Sequence, residues 1–274
     1  MRAPRPTPAQ AMLPGPAAVA ASLAGAAAIV VLGIALAVGA DWATQLWPLP
    51  AGPLTHAFLG AILLAIGAPV AWIAASGEWG AAATGGSFPA VALGALGAYL
   101  WALAAAGDPD VGAAAPVVLT VLAAWSAGFA LWARRVPLRD GRSSPVAVRI
   151  AFVAFALVLV AAGSALAARV DGVLPWAVSG RTSVAIGLVF LGASLPYAAA
   201  ARSGRWHAAR GPLLGFAVYD LALLPPLLAR VDEVEGTAAI SLGLYVGVLA
   251  VSLALALAYL VVDPRTRGWR PSAG

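Results

Sequence analysis

The chain has no cysteine, no lysine and few charged residues of any kind. Without cysteine it cannot form disulfides, thiolate metal sites or thiol nucleophiles. Charged residues make up only 10% of the 274 residues, whereas soluble domains contain about 25%. This shortage of charge excludes an ordinary soluble fold.

The residues that are present are mostly apolar. Hydrophobic residues account for 62% of the chain, and the mean hydropathy is +0.93, which is typical of an integral membrane protein. All of the basic residues are arginine, and with so much Ala, Gly, Pro and Val this composition is typical of a GC-rich bacterial genome. We therefore expect a multi-pass protein of the bacterial cytoplasmic (inner) membrane.

Eight apolar runs are long enough, or nearly so, to cross about 30 Å of hydrocarbon. The first run is longer than the apolar region of a signal peptide, about 7–15 residues, so we expect it to belong to the fold. The runs predict an all-α bundle of eight transmembrane helices near residues 17–39, 54–75, 88–106, 113–133, 147–168, 183–201, 212–229 and 237–262.

The arginines predict the orientation of this bundle. Arg169, Arg181 and Arg230 fall on one side, and the other 13 of the 16 basic residues fall on the opposite side. Short arginine-rich loops stay in the cytoplasm, so both termini are expected there. The same explanation accounts for the net charge of +5, and no nucleic-acid partner is expected. The cytoplasmic set is Arg2, Arg5, Arg134, Arg135, Arg139, Arg142, Arg149, Arg202, Arg205, Arg210, Arg265, Arg267 and Arg270.

The sequence repeats itself with a shift of 127 residues. Residues 48–82 align with 175–209 without a gap, and the same shift places 17–39 on 144–166. An even number of spans per copy gives the copies the same orientation, as in parallel transporter repeats. We expect a tail (1–16), repeat 1 (17–133), a linker (134–146), repeat 2 (147–262) and a tail (263–274). The matching pairs include Pro48 with Pro175, Thr55 with Thr182, Pro69 with Pro196, and Trp79 with Trp206.

Asp220 is the only acidic residue well inside a predicted span. An ionisable group there costs at least about 2.5 kcal/mol, which makes it a functional candidate. The alternative is a structural carboxyl that joins two helices by a hydrogen bond. Its candidate partners are hydroxyl groups at the same depth, on Tyr219, Tyr245, Tyr197 and Thr120.

Prolines mark two further candidate positions. Pro225 and Pro226 follow Asp220 by about one turn, and since they lack N–H groups they should kink the helix and free two carbonyls. Pro69 and Pro196 interrupt spans 2 and 6 at matching places, and such paired interruptions point to a transporter site. A duplicated packing kink explains the second pair equally well.

Polar residues at the predicted outer end form the last candidate group. Thr55 and His56 begin span 2 near Asp41, and Arg181 and Thr182 hold the matching place in the second half. Solvated interface residues are one interpretation, and a ligand site is the other. The two histidines, His56 and His207, fall on opposite sides, so we expect no shared histidine metal site and no cofactor.

One stretch resembles a known group of proteins. Residues 46–50 (Leu-Trp-Pro-Leu-Pro), then 53–55, 60–61 and 65–67, are similar to a segment of an uncharacterised duplicated multi-pass integral membrane protein family of GC-rich bacteria. The chain departs from that segment at His56 and Ala57, where a small residue and an arginine are expected. The resemblance implies a duplicated membrane protein and no particular substrate.

Three classes of function follow from these features. A permease for a small molecule or ion is supported by the repeat, by Asp220 and by the prolines. A non-catalytic membrane subunit or scaffold is supported by the scarcity of polar groups inside the spans. An enzyme has least support, because a reaction needs more convergent titratable groups. The expected partners are the lipid bilayer and either a second copy or another membrane subunit.

Overall fold

Eight long helices make up the part of the chain that the structure describes. The computed structural model describes residues 14–136 and 138–268, and every regular element in those ranges is helical. Arg2, Arg5 and Arg270 lie outside the described residues. The long helices are α1 (Pro16–Ala37), α2 (Pro53–Ser76), α3 (Ser87–Ala105), α4 (Ala114–Ala133), α5 (Val146–Ala167), α6 (Gly180–Ser203), α7 (Trp206–Leu228) and α8 (Gly236–Leu257).

Within the described residues, eight helical segments are long and apolar enough to cross a membrane. Two of them extend beyond the long helices: short turns from Trp79 lead into α3, and α8 continues as Ala258–Val262. The prediction of an eight-span, multi-pass membrane protein is thereby confirmed at the level of its helices. Short helices at Asp41–Thr44 and Val231–Glu233 lie in the connections.

Two helices begin earlier than the sequence analysis predicted. Helix α6 starts at Gly180 instead of 183, and α7 starts at Trp206 instead of 212. The sequence analysis placed His207 and Arg210 outside the spans, but in the structure they lie in the early part of α7 and are only 6% and 3% exposed. The surrounding protein covers them, so polarity here does not mark a loop.

The helix ends follow from local residue chemistry. Helices α1 and α2 have proline at their first positions, where the missing N–H has no intrahelical partner to lose. Helices α2 and α6 are followed directly by Gly77 and Gly204, with φ of 73° and 63°. These left-handed conformations suit glycine because it has no Cβ.

Among the described residues, the helices pack as four hairpins with two main contacts between hairpins. Helix α1 packs on α2, α3 on α4, α5 on α6, and α7 on α8. In addition, α2 packs along α7, and α3 packs along α6. The second hairpin of each half of the chain therefore lies against the first hairpin of the other half.

Glycines allow the closest helix crossings. A Cβ on Gly60 of α2 would lie 2.7 Å from the amide nitrogen of Ala37 and would collide with the carbonyl oxygen of Gly33. A Cβ on Gly187 of α6 would lie 2.6 Å from the Ala167 nitrogen and 2.6 Å from the Gly163 oxygen. Small residues are therefore required where α1 crosses α2 and where α5 crosses α6.

Candidate functional site

Asp220 lies in the interior, on the face of α7 that meets α8. Its exposed fraction is 0%, and its Oδ2 is 2.7 Å from the hydroxyl of Ser252 on α8. Within the described residues, Oδ1 has no hydrogen-bond partner and the carboxyl forms no ion pair. The carboxyl therefore joins α7 to α8 through a single hydroxyl.

The Ser252 hydroxyl can bond to Asp220 or to carbonyl oxygens of its own helix. Its Oγ is 3.0 Å from the carbonyl oxygen of Val248 and 3.1 Å from that of Leu249 in the preceding turn. Because a hydroxyl has only one hydrogen, it either donates to an ionised Asp220 or donates to Val248 and accepts from a protonated Asp220. The pair can therefore hold or release a proton without losing its hydrogen bond.

Among the described residues, none of the four predicted partners is hydrogen-bonded to the carboxyl of Asp220. The hydroxyl of Tyr219 lies 2.7 Å from that of Tyr245, and the ring of Tyr197 stacks on Phe216. Thr120 donates to the carbonyl oxygen of Pro116 in its own helix. Ser252 was missed, although a polar residue inside the helix that follows α7 was the signal that could have identified it.

The candidate prolines lie on three helices, α2, α6 and α7. Helix α7 continues through Pro225 and Pro226, although neither can donate a hydrogen bond to the preceding turn. Pro69 lies 3.8 Å from the Cβ position of Gly211, which precedes Asp220 by nine residues on α7, or about 14 Å of helix. Pro196 is buried within α6. Pro69 therefore packs beside the first part of α7, away from Asp220.

Both candidate threonines at the predicted outer end are buried and bonded. Thr55 is 1% exposed and accepts a hydrogen bond of 3.1 Å from the indole Nε1 of Trp176. Thr182 is 0% exposed and donates to the carbonyl oxygen of Pro50 at 2.5 Å. Each threonine thus fixes a loop that belongs to the other half of the chain.

Arg181 forms ion pairs that the sequence analysis did not predict. Its guanidinium binds the carboxylates of Asp108 and Asp110, the latter at 2.9 Å, and connects the α3–α4 loop to the first turn of α6. The hydrogen bond from Arg181 lowers the pKa of Asp108. In the part of the chain that the structure describes, His56 and Asp41 form no ion pair, and no group of three or more His, Asp and Glu could hold a metal.

A buried polar cluster at the arginine-rich end was missed altogether. Glu78 and Asp140 are 4% and 6% exposed. Arg142 binds Asp140 through Nε at 2.9 Å and Nη2 at 2.6 Å, and His207 Nδ1 lies 3.2 Å from the Asp140 carbonyl oxygen. The cluster therefore attaches the α4–α5 linker to the start of α7.

The two acids of this cluster have opposite pKa shifts. Burial raises the pKa of Glu78, and the backbone N–H of Arg139, at 3.4 Å, offsets this only in part. Burial also opposes ionisation of Asp140, but the hydrogen bonds from Arg142 outweigh it and lower the pKa of Asp140. An ionised Asp140 beside a less acidic Glu78 is the expected arrangement.

Comparison of the chain with protein-family models, with curated proteins and with solved structures found no match. The assignment of function therefore rests on the geometry. That geometry provides a carboxyl sealed between two helices, two threonines that hold loops, and two ion-paired groups at the opposite ends of the bundle.

Proposed function

We propose that the protein is a non-catalytic subunit or scaffold of the bacterial cytoplasmic membrane, made of two parallel four-helix repeats. The observation that carries this proposal is the environment of Asp220. Its carboxyl is fully buried and bonded to one hydroxyl, as expected for a group that joins helices. The outer-end threonines and Arg181 are likewise bonded to protein groups.

The matching helix crossings support the proposed repeat. Helices α1 and α5 each have 22 residues, and α2 and α6 each have 24. Leu64 meets the Cβ position of Gly33 at 3.0 Å, and Leu191 meets that of Gly163 at 3.1 Å. Under the proposed repeat, these matching contacts correspond to a shift of 127 residues between α2 and α6 and of 130 between α1 and α5, so the connection after the first helix would differ by three residues.

The helix pairing also supports the repeat. Exchanging the two halves converts the contact between α2 and α7 into the contact between α6 and α3, and both are present. A two-fold axis along the membrane normal would produce this pattern. With even numbers of spans in each half, the proposal places both termini in the cytoplasm.

A permease is the second candidate function, and one observation favours it. Oδ1 of Asp220 has no hydrogen-bond partner among the described residues although it is buried, and an unsatisfied buried oxygen is costly. A proton or cation that occupies this oxygen during transport would remove that cost. Under this alternative, the carbonyls freed by Pro225 and Pro226 would serve as additional ligands.

The Asp220→Asn and Asp220→Leu variants distinguish the two functions. A structural carboxyl predicts that Asn is nearly silent and that Leu lowers the free energy of unfolding by about 0.6–2 kcal/mol, the range for interhelical hydrogen bonds. The same variants are then reconstituted into vesicles that contain a pH-sensitive dye. Proton flux in the wild type that Asp220→Asn abolishes would overturn the subunit proposal, whereas equal dye traces support it.

A further inference from the structure

Three arginines form an exposed patch where α5, α6 and α7 meet. Arg149 lies in the first turn of α5, Arg202 in the last turn of α6, and Arg205 is the residue before α7. All three side chains are exposed. We refer to Arg149, Arg202 and Arg205 as the arginine patch.

Backbone hydrogen bonds hold the arginine patch in place. The linker runs antiparallel to the α6–α7 connection: the Ser144 N–H donates to the Gly204 oxygen at 2.8 Å, and the Trp206 N–H donates to the Arg142 oxygen at 2.9 Å. Arg149 Nε donates to the carbonyl oxygen of Ala201 at 3.0 Å. This bond orients the guanidinium and uses none of its Nη hydrogens, which remain available to a ligand.

The patch lacks a compensating anion among the described residues. Neither α5 nor α7 has an acidic residue in its first turn or a side-chain cap, and no patch residue forms an ion pair. The nearby acid, Asp140, is buried and bound by Arg142. The last-turn carbonyl of Ala201 partly balances Arg149, but among the described residues no carboxylate lies opposite any of the three guanidinium groups, so a bound anion would be stabilised there.

The surroundings of the patch indicate where that anion comes from. Next to Arg149 on α5, the side chains of Val146, Ile150 and Val153 are 66%, 64% and 49% exposed. In a membrane these side chains contact acyl chains, because α5 is one of the spanning helices. We propose that the arginine patch binds the phosphate headgroup of an anionic phospholipid, whose acyl chains lie along α5.

The test is lipid binding by purified protein in a zwitterionic detergent. Phosphatidylglycerol is expected to raise the unfolding temperature and to remain bound in native mass spectrometry, whereas phosphatidylcholine is expected to do neither. Single substitutions Arg202→Gln and Arg205→Gln should each weaken binding about fivefold, the loss expected for one basic residue at an anionic surface. Neither side chain bonds to another described residue, so both variants should fold.

A matched control separates a site from general surface charge. The triple variant R149Q/R202Q/R205Q should lose retained lipid, whereas R134Q/R135Q/R267Q removes three other exposed guanidinium groups and should keep it. Equal loss in the two triple variants would overturn the proposal. If inorganic phosphate alone produced the full stabilisation, the ligand would be a free anion and the lipid assignment would fall.

Discussion

The crossing of α1 and α2 provides the sharpest test of the fold. In Gly60→Ala, the new methyl group would point at backbone atoms of α1, at 2.7 Å from the Ala37 nitrogen and 3.0 Å from its Cα. Backbone cannot rotate away as a flexible side chain does, so the two helices must separate. Gly25→Ala in α1 is the matched control, because no atom lies within 4 Å of its Cβ position.

The expected magnitudes follow from two opposing effects. Overpacking costs about 1–3 kcal/mol, and contact with backbone places Gly60→Ala near the upper end. Replacing a helical glycine by alanine recovers roughly 0.5–1 kcal/mol. We therefore expect Gly60→Ala to lower the free energy of unfolding by about 2–2.5 kcal/mol, and Gly25→Ala to raise it slightly.

The measurement is reversible unfolding of purified protein in mixed micelles, followed by circular dichroism as the denaturing detergent is increased. Gly187→Ala should behave like Gly60→Ala, because its Cβ meets the Ala167 nitrogen and the Gly163 oxygen at 2.6 Å. If Gly60→Ala proves as stable as Gly25→Ala, the close crossing does not exist in the protein. If only one of the two crossings is sensitive, the proposed equivalence of the halves is refuted.

Three further predictions concern polar groups. Ser252→Ala removes the bonded partner of Asp220 and should lower the free energy of unfolding by about 0.6–2 kcal/mol. Ser164→Ala, on an exposed face of α5, is the control and should leave stability unchanged. Equal losses of stability in the two variants would contradict the α7–α8 bond. The raised pKa of Glu78 means that its contribution to stability is present at low pH and is lost as pH rises through that pKa. The stability of Glu78→Gln should therefore decline less with pH than that of the wild type, and parallel thermal-unfolding profiles would disprove this. The ion pair of Arg181 with Asp108 contributes stability that is present at neutral pH and lost as pH falls through the lowered pKa of Asp108. Arg181→Gln should remove this contribution. If the unfolding temperature of the variant fell at acidic pH just as that of the wild type does, the ion pair would be contradicted.

The spanning helices could be predicted from the sequence because apolar length alone decides them. Helix α7 shows the limit of this method. Its first turns contain His207 and Arg210, which are buried only because other parts of the fold cover them. A hydropathy profile does not detect burial by segments that are distant in the sequence. The predicted start of α7 was therefore six residues late.

The polar contacts were harder to predict than the helices. Asp220 stands out in the sequence as the acidic residue inside a span, but its bond to Ser252 depends on the register between α7 and α8. Arg181 meets Asp108 because the α3–α4 hairpin packs on α6. The sequence repeat does not indicate that hairpins from different halves of the chain pack together. To predict contacts between distant segments, one must know which helices are neighbours, and the hydrophobic pattern of the sequence does not give this.

The contacts between hairpins from different halves of the chain have a consequence for its synthesis and membrane assembly. Helix α7 packs against α2 at Pro69 and Trp72, which lie 3.8 Å from the Cβ position of Gly211. Helix α6 packs against α3 where Ala92 contacts Gly192. During synthesis the first four helices leave the ribosome before either partner exists, so lipid must occupy those two surfaces until the later helices enter the bilayer. During assembly, α7 and α6 must then displace this lipid from the surfaces of α2 and α3. Two fragments divided in the linker and produced together should therefore find each other in the membrane, whereas the first fragment alone would be left for proteolysis.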